Sequence, residues 1–415
     1  MGGRSRIGCV LMVAIVGVIG VVAPGGAVDK KVKVKVKEFS AGVVPGPFGI
    51  TTGPDGNLWY TEYGDTAGGI GRITPKGEVT EFSAGLTAEV QPGGITTGPD
   101  GNLWFAENNE RRIGRITPDG VISEFSPTTE GNSYPSDTDL GITAGPDGNL
   151  WYNAGGPIGR STPDGVITEF DVGHNLLWGI PAAGPDGNLW IMGIGPNAIV
   201  RITPAGETTE FSAGLTVDTY ASGLTAGPDG NLWFTEYNGQ RIGRITPAGV
   251  ITEFSAGLTG TPQGITAGPD GNLWFTEYND NSSGPGVAAP ATPGPIGRIT
   301  PAGKATEFSA GIAADAHPAG ITVGCDGNLW FSEYDDETEA GVSQIGRITP
   351  KGKVTEFSAG ITGAPSGITA GPDGNLWFTE TQNGQIGRID PGPSAKPRGK
   401  HGPTLPPACP GAPKS

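Results

Sequence analysis

The ten residues GPDGNLWFTE stand letter for letter at 227–236, 268–277 and 371–380, and five edited copies accompany them. The tryptophans of the eight copies are Trp59, Trp104, Trp151, Trp190, Trp233, Trp274, Trp330 and Trp377, at successive spacings of 45, 47, 39, 43, 41, 56 and 47 residues. A period in the low forties suits a four-stranded propeller blade better than a helical pair, which repeats in the mid-thirties. The chain is therefore expected to be all-β, with one blade per copy.

Each segment of the repeat has a backbone role. GIT reads as a short innermost strand and PDGN as a tight turn, because glycine supplies a positive φ and aspartate bonds its own backbone. NLWFTE is the second strand, with Leu232 and Phe234 on one face and Trp233 on the other. Apolar residues on both faces suit a sheet sandwiched between two neighbours. IGRITP, from Ile70–Pro75 to Ile386–Pro391, supplies the third strand and the next turn, and VITEFS the outer strand. The 74 glycines and 38 prolines interrupt any helical run.

The last copy stops after its third strand, while an unattached outer strand, VKVKVKEFS at 32–40, precedes the first. Joining them completes eight blades, closes the ring and removes exposed sheet edges. Eight blades over residues 28–391 is the expectation. Seven blades with one displaced copy is the alternative, raised by the short spacing between the third and fourth tryptophans.

Residues 1–27 have the layout of a secretory signal: Arg4 and Arg6, an uncharged run from Ile7 to Ala23, then small residues at Gly25 and Ala27. An uncleaved anchor over 7–23 is the alternative. Both place the propeller outside the cytoplasm. There the two remaining cysteines, Cys325 and Cys409, admit one disulfide, with two free thiols as the other reading. The tail from 392 to 415 is rich in proline and glycine and is expected to be disordered. With 26 Lys and Arg against 42 Asp and Glu, a net charge of −16 disfavours nucleic acid as a partner. Three scattered histidines and two cysteines do not make a zinc site. Nothing in the composition calls for more than a monomer.

Residues present in nearly every copy are explained by what every blade needs. The tryptophans are interblade packing, and the IGR arginines, from Arg72 to Arg388, are structural hydrogen-bond donors. PDGN lacks the ligand pattern of a calcium loop. One rim of the ring gathers whatever precedes each GIT and follows each LWF. Glutamates occupy it in six copies (Glu62, Glu107, Glu236, Glu277, Glu333 and Glu380), while Ala154 and Gly193 replace them in the third and fourth. Phe48, Leu140, Tyr152, Trp178, Met192, Gln263 and Ser366 are the other candidate rim contacts. An acidic arc beside an apolar one would seat an amphipathic or cationic small molecule or peptide, a surface protein, or a divalent cation such as Mg or Ca held by Glu236, Glu277, Glu333 and Glu380. The alternative is that these glutamates bond backbone amides or the repeated arginines.

The combination GITAGPDGNLWFTE followed by IGRITPAGVITEF resembles the virginiamycin B lyase (streptogramin B lyase) family over nearly all of residues 38–391. That resemblance implies a propeller, seven-bladed in characterised lyases, and a magnesium-dependent elimination that linearises a cyclic depsipeptide. It also implies a histidine directly before the inner-strand glycine or alanine in two adjacent late blades, with a glutamate near the metal. The late positions here are Gln263, Ala319 and Ser366. None of these can remove the α-proton of the ester, and elimination needs both a base and a Lewis acid.

His317, two residues before the expected position in HPAGIT, is the remaining weak catalytic candidate, because a two-residue shift preserves the face of an extended chain. His174 lies elsewhere in the ring, and His401 falls in the tail. Two functions stay open: an extracytoplasmic propeller that binds a ligand or partner without the family's histidines, or a metal-dependent lyase or lactonase-like hydrolase with a rearranged site. The insertion Tyr278–Pro295 and the acidic loop carrying Asp335, Asp336, Glu337 and Glu339 are candidate binding loops on the same rim.

Overall fold

Aspartate, asparagine and tryptophan in PDGNLW lock each hairpin in the same way. Asp55 Oδ1 accepts bonds from the Asn57 N–H at 3.1 Å and the Trp59 Nε1–H at 3.0 Å, and Oδ2 accepts one from Asn57 Nδ2 at 2.7 Å. The same three contacts recur in the other seven copies, from Asp100 to Asp373. One carboxylate thus shapes the turn and fixes the indole through contacts within five residues. Partial burial pushes the Asp229 carboxyl up, but donors from Asn231 and Trp233 outweigh it and hold the group below the usual carboxylate range.

The computed structural model describes residues 34–40, 43, 46–63, 68–88, 90–107, 112–127, 141–153, 157–173, 176–194, 198–216, 221–237, 239–279, 293–314, 316–334, 343–392 and 409. These residues form eight antiparallel sheets of four strands, an eight-bladed β-propeller. In the first blade Pro47–Thr52 is innermost, followed outward by Leu58–Glu62, Gly69–Ile73 and Val79–Phe82. The eighth blade is built from Pro365–Ala370, Leu376–Glu380 and Gln385–Asp390, and its outer strand is Lys35–Phe39 from the other end of the chain. Pairing runs from Lys35 opposite Asp390 to Phe39 opposite Ile386. The ring closes as expected, and the seven-bladed alternative is excluded.

Hydrophobic seams between blades form the core. Between the first and second blades, Trp59 and Ile70 meet Leu103, Phe105 and Ile116, all fully buried. The closing seam has the same composition, with Phe39, Trp377 and Ile386 against Leu58, Tyr60 and Ile73. A second strand apolar on both faces follows from this geometry, since each blade is flanked twice.

The repeated arginines are structural, as expected. Arg72 lies over the rings of Trp59 at 5.5 Å and Phe82 at 5.4 Å and donates to the Pro118 carbonyl of the next blade at 2.9 Å. Arg388 completes the circle by donating to the Pro75 carbonyl of the first blade. Every one of the eight arginines lies over a tryptophan and a phenylalanine ring, and Arg115, Arg160, Arg201, Arg244 and Arg298 repeat the bond to a proline carbonyl of the next blade.

Cys325 and Cys409 form a disulfide, with both residues buried beside Trp330, Ala370 and Leu376. The bond fastens the C-terminal segment to the turn of the seventh blade. Residues 1–33, and the tail apart from Gly392 and Cys409, lie outside the described residues, and with them the leader, anchor and disorder expectations.

Candidate functional site: the central channel

The innermost strands of the first seven blades wall a cavity of about 390 Å³. Of the eleven described residues lining it, Ser222 alone has a polar side chain. The others are Phe48, four aliphatic residues and five glycines, among them Gly94, Gly141 and Gly179. A wall of this kind offers peptide planes and apolar side chains, and no charge to compensate an ionised ligand.

The second strand supports that wall through a hydroxyl two residues after the tryptophan. Thr61 Oγ1 accepts from the Gly49 N–H of its own blade at 3.0 Å and donates to the Gly93 carbonyl of the next at 2.7 Å. Thr235, Thr276, Ser332 and Thr379 repeat this latch, donating to the carbonyls of Gln263, Ala319, Ser366 and Phe48. Ala106, Asn153 and Met192 occupy the position in the second, third and fourth blades, so the hydroxyl latch is interrupted on one side of the channel. Gln263 and Ser366, read as ligand contacts, thus contribute their carbonyls to the scaffold. The Ser366 hydroxyl is also engaged, with those of Thr379 and Thr381 at 2.9 Å.

The glutamates do not form an acidic mouth. Glu62, Glu107, Glu236, Glu277, Glu333 and Glu380 are at most 1% exposed, each enclosed in its own blade. The Gly260 N–H donates to Glu277 at 2.7 Å, the Gly363 N–H to Glu380 at 3.2 Å, and Arg112 Nε to Glu107 at 2.8 Å. The amide half of the alternative reading holds at Glu277 and Glu380, whereas the partner of Glu107 is Arg112 and not the repeated Arg115, which donates to the Pro163 carbonyl. Several also meet the glutamate that precedes the outer-strand phenylalanine: Glu107 with Glu124, Glu277 with Glu307, Glu333 with Glu356, and Glu380 with Glu38.

Burial, reinforced by the neighbouring carboxylate, pushes Glu107 up to about 7, Glu277 and Glu380 to about 8, and Glu333 to about 9. At neutral pH such a pair holds a proton in place of a second charge. The outer glutamates have a further role that the sequence reading missed. Thr216, in the loop entering the fifth blade, donates its N–H and hydroxyl to Glu253 at 2.6 and 2.7 Å. The recurrence of SAGLT beside TEFS was the available signal.

Glu236, Glu277, Glu333 and Glu380 stand in four different sheets and do not converge on one point. Among the described residues no three His, Cys, Asp or Glu side chains are grouped to hold a metal ion. Glu333 is instead enclosed with Glu356 and Gln344. This donor set does not fit the magnesium that the family resemblance implies.

His317 does not line the channel. A β-bulge between Pro318 and Ile321 breaks the expected alternation, and the imidazole packs on Tyr278 of the adjacent blade with ring centroids 4.6 Å apart. Tyr152 and Met192 are also buried rather than presented at the rim. Tyr152 covers Gly159, where a Cβ would fall 2.1 Å from its ring, and Met192 joins the seam of Trp190 and Phe234. Both are scaffold because strands two and three are clamped between blades.

Phe48 does reach the cavity and packs on Tyr63 at 6.5 Å. Leu140, the Trp178 side chain, His174, His401, Ala154, residues 280–292 and the loop of Asp335, Asp336, Glu337 and Glu339 lie outside the described residues.

The fold and this channel define a closed eight-bladed propeller with an axial cavity whose described lining carries no charged side chain. The chain belongs to the virginiamycin B lyase family, whose profile matches residues 30–177, 174–285 and 289–397. Among solved structures it is similar to the virginiamycin B lyase of Staphylococcus aureus, with 29% identity and a TM-score of 0.58 over 86% of this chain and 99% of that one. A catalytically inactive form of that lyase with quinupristin matches at 30% identity and a TM-score of 0.56, over 86% and 99%. A streptogramin B lyase structure matches at 29% and 0.56, over 86% and 97%. No curated protein matches the chain.

Proposed function

We propose that the protein is an extracytoplasmic binding propeller that takes a small uncharged molecule into its central channel and does not carry out the family's elimination. The observation that carries this reading is the channel wall, where none of the described lining residues is titratable. Without a base at Gln263, Ala319 or Ser366, none of the described lining residues can remove an α-proton, whereas apolar surface and backbone amides can bind. The buried glutamates argue against the cationic ligand that the rim sequence suggests. The Cys325–Cys409 bond supports an oxidising compartment.

The test uses quinupristin, the molecule found with the related lyase. Purified protein is incubated with it and magnesium, and the products are read by mass spectrometry. No linear product above the buffer control is expected. Magnesium-dependent ring opening that disappears in His317→Ala would overturn the proposal and favour a rearranged lyase site.

A further inference from the structure

The fourth blade breaks the inner-strand pattern. In the second, fifth and sixth blades the aliphatic residue after the inner-strand glycine packs into a seam, as Ile95, Leu224 and Ile265 do. In the fourth blade Gly179, Ile180 and Pro181 together stand opposite Ile191 alone, between the pairs Trp178–Met192 and Ala182–Trp190. Elsewhere, as between Pro47 and Ile50, two residues stand opposite one. Gly179 adopts φ +76°, which other residues rarely tolerate, and Pro181 has no N–H to restore the ladder.

Ile180 is displaced as a result. It is 57% exposed, absent from the seam of Trp151, Leu189 and Ile191, and part of the channel wall. Its side chain lies over Gly141 of the third blade, where a Cβ would fall 2.3 Å from Ile180 Cγ1. The glycine and the bulge are therefore complementary: one holds the isoleucine out of the core, the other makes room for it. Removing an aliphatic side chain from a seam and exposing it forgoes burial of roughly 1–2 kcal/mol. On the same side of the channel the hydroxyl latch is interrupted at Ala106, Asn153 and Met192, so two departures from the repeat, the long bulge and the broken latch, fall together.

We infer that Ile180, with the glycine wall of Gly94, Gly141 and Gly179, is a ligand seat for an uncharged aromatic group. Peptide planes without side chains let a flat ring approach closely, Ile180 supplies the apolar edge, and Phe48 lines the same cavity. No charged side chain among the described lining residues would offset the desolvation of an ionised group. The inference rests on the channel reading above and assigns it a ligand class and an anchor.

The neutral fluorophore N-phenyl-1-naphthylamine is titrated into the full chain, with its quaternary ammonium analogue in a parallel arm. Saturable binding of the neutral probe is expected. Ile180→Asp should weaken it by roughly tenfold or more, the scale of an apolar contact replaced by a desolvated carboxylate. Ile180→Thr, which keeps the branched shape, should weaken it less, and Val166→Asp, an equally exposed position outside the lining, should leave it unchanged.

Circular dichroism and melting of each variant exclude loss of fold as the cause. If Ile180→Asp does not fold, the Ile180→Thr and Val166→Asp pair decides. Equal binding by all the Ile180 variants, while Phe48→Asp still weakens the probe, would overturn the anchor but keep the channel. No binding by the unmodified protein, or indifference to both Phe48→Asp and Ile180→Asp, would overturn the channel reading itself. Equal affinity for the cationic analogue would overturn the ligand class.

Discussion

Replacing Glu333 with glutamine should stabilise the propeller at alkaline pH. In the folded protein burial, reinforced by the nearby Glu356, raises the Glu333 carboxyl to about 9. In the unfolded chain it ionises near the ordinary glutamate value of about 4.3. Between those limits the folded state holds a proton that the unfolded state has released, so stability is fully present below about 4.3 and declines as pH rises toward 9. The decline is about 1.4 kcal/mol per pH unit for one fully shifted group. Glu277 and Glu380, both raised to about 8, act with the same sign.

Glu333→Gln removes one ionisation while keeping shape and a donor toward Glu356, whose bonds with the Ala313 N–H at 2.6 Å and with Gln344 are untouched. Urea unfolding of both proteins from pH 5 to pH 9, with the disulfide intact, measures the effect. The variant should match the parent at pH 5 and exceed it by roughly a few kcal/mol at pH 8. A parent whose stability is flat or rising over this range would refute the assignment of protonated pairs.

Other consequences are open to measurement. Asp229→Ala removes the acceptor of two turn bonds and of the Trp233 indole, and should lower unfolding free energy by roughly 1–3 kcal/mol. Because the Asp229 carboxyl is held below its usual value, its contribution is present above the unfolded value and lost as pH falls, which acid melts would reveal. Deleting residues 28–40 strips the outer strand from the eighth blade and should reduce melting temperature and solubility more than deleting residues 410–415, which leaves Cys409 in place. Replacing both Cys325 and Cys409 with serine opens an 84-residue connection, worth about 4.5 kcal/mol in the chain-entropy model, and denaturant midpoints under matched conditions test it.

The blade count, the closure by Lys35–Phe39 and the structural arginines were all legible in the sequence, because a repeat states its own rules eight times over. PDGNLW carries its hairpin instructions within six residues, and local bonds are readable from local sequence. The candidate site was less legible. Which way a rim glutamate turns depends on groups far away in the chain, as with Glu380 and Glu38, and register alone cannot show that both carboxyls are buried together. His317 was placed by counting along an extended strand, and the bulge after Pro318 defeated the count.

Ile180 left only a faint trace, a proline and one extra residue in GIPAAG where the third, sixth and eighth copies read GITAG, and its emergence into the channel depends on a bulge paired with an absent side chain on another blade. The amino-acid sequence by itself determined the architecture, since every blade must bury the same two faces. Tertiary structure alone decided what the channel presents, because burial and charge there are properties of neighbouring blades and not of any single repeat.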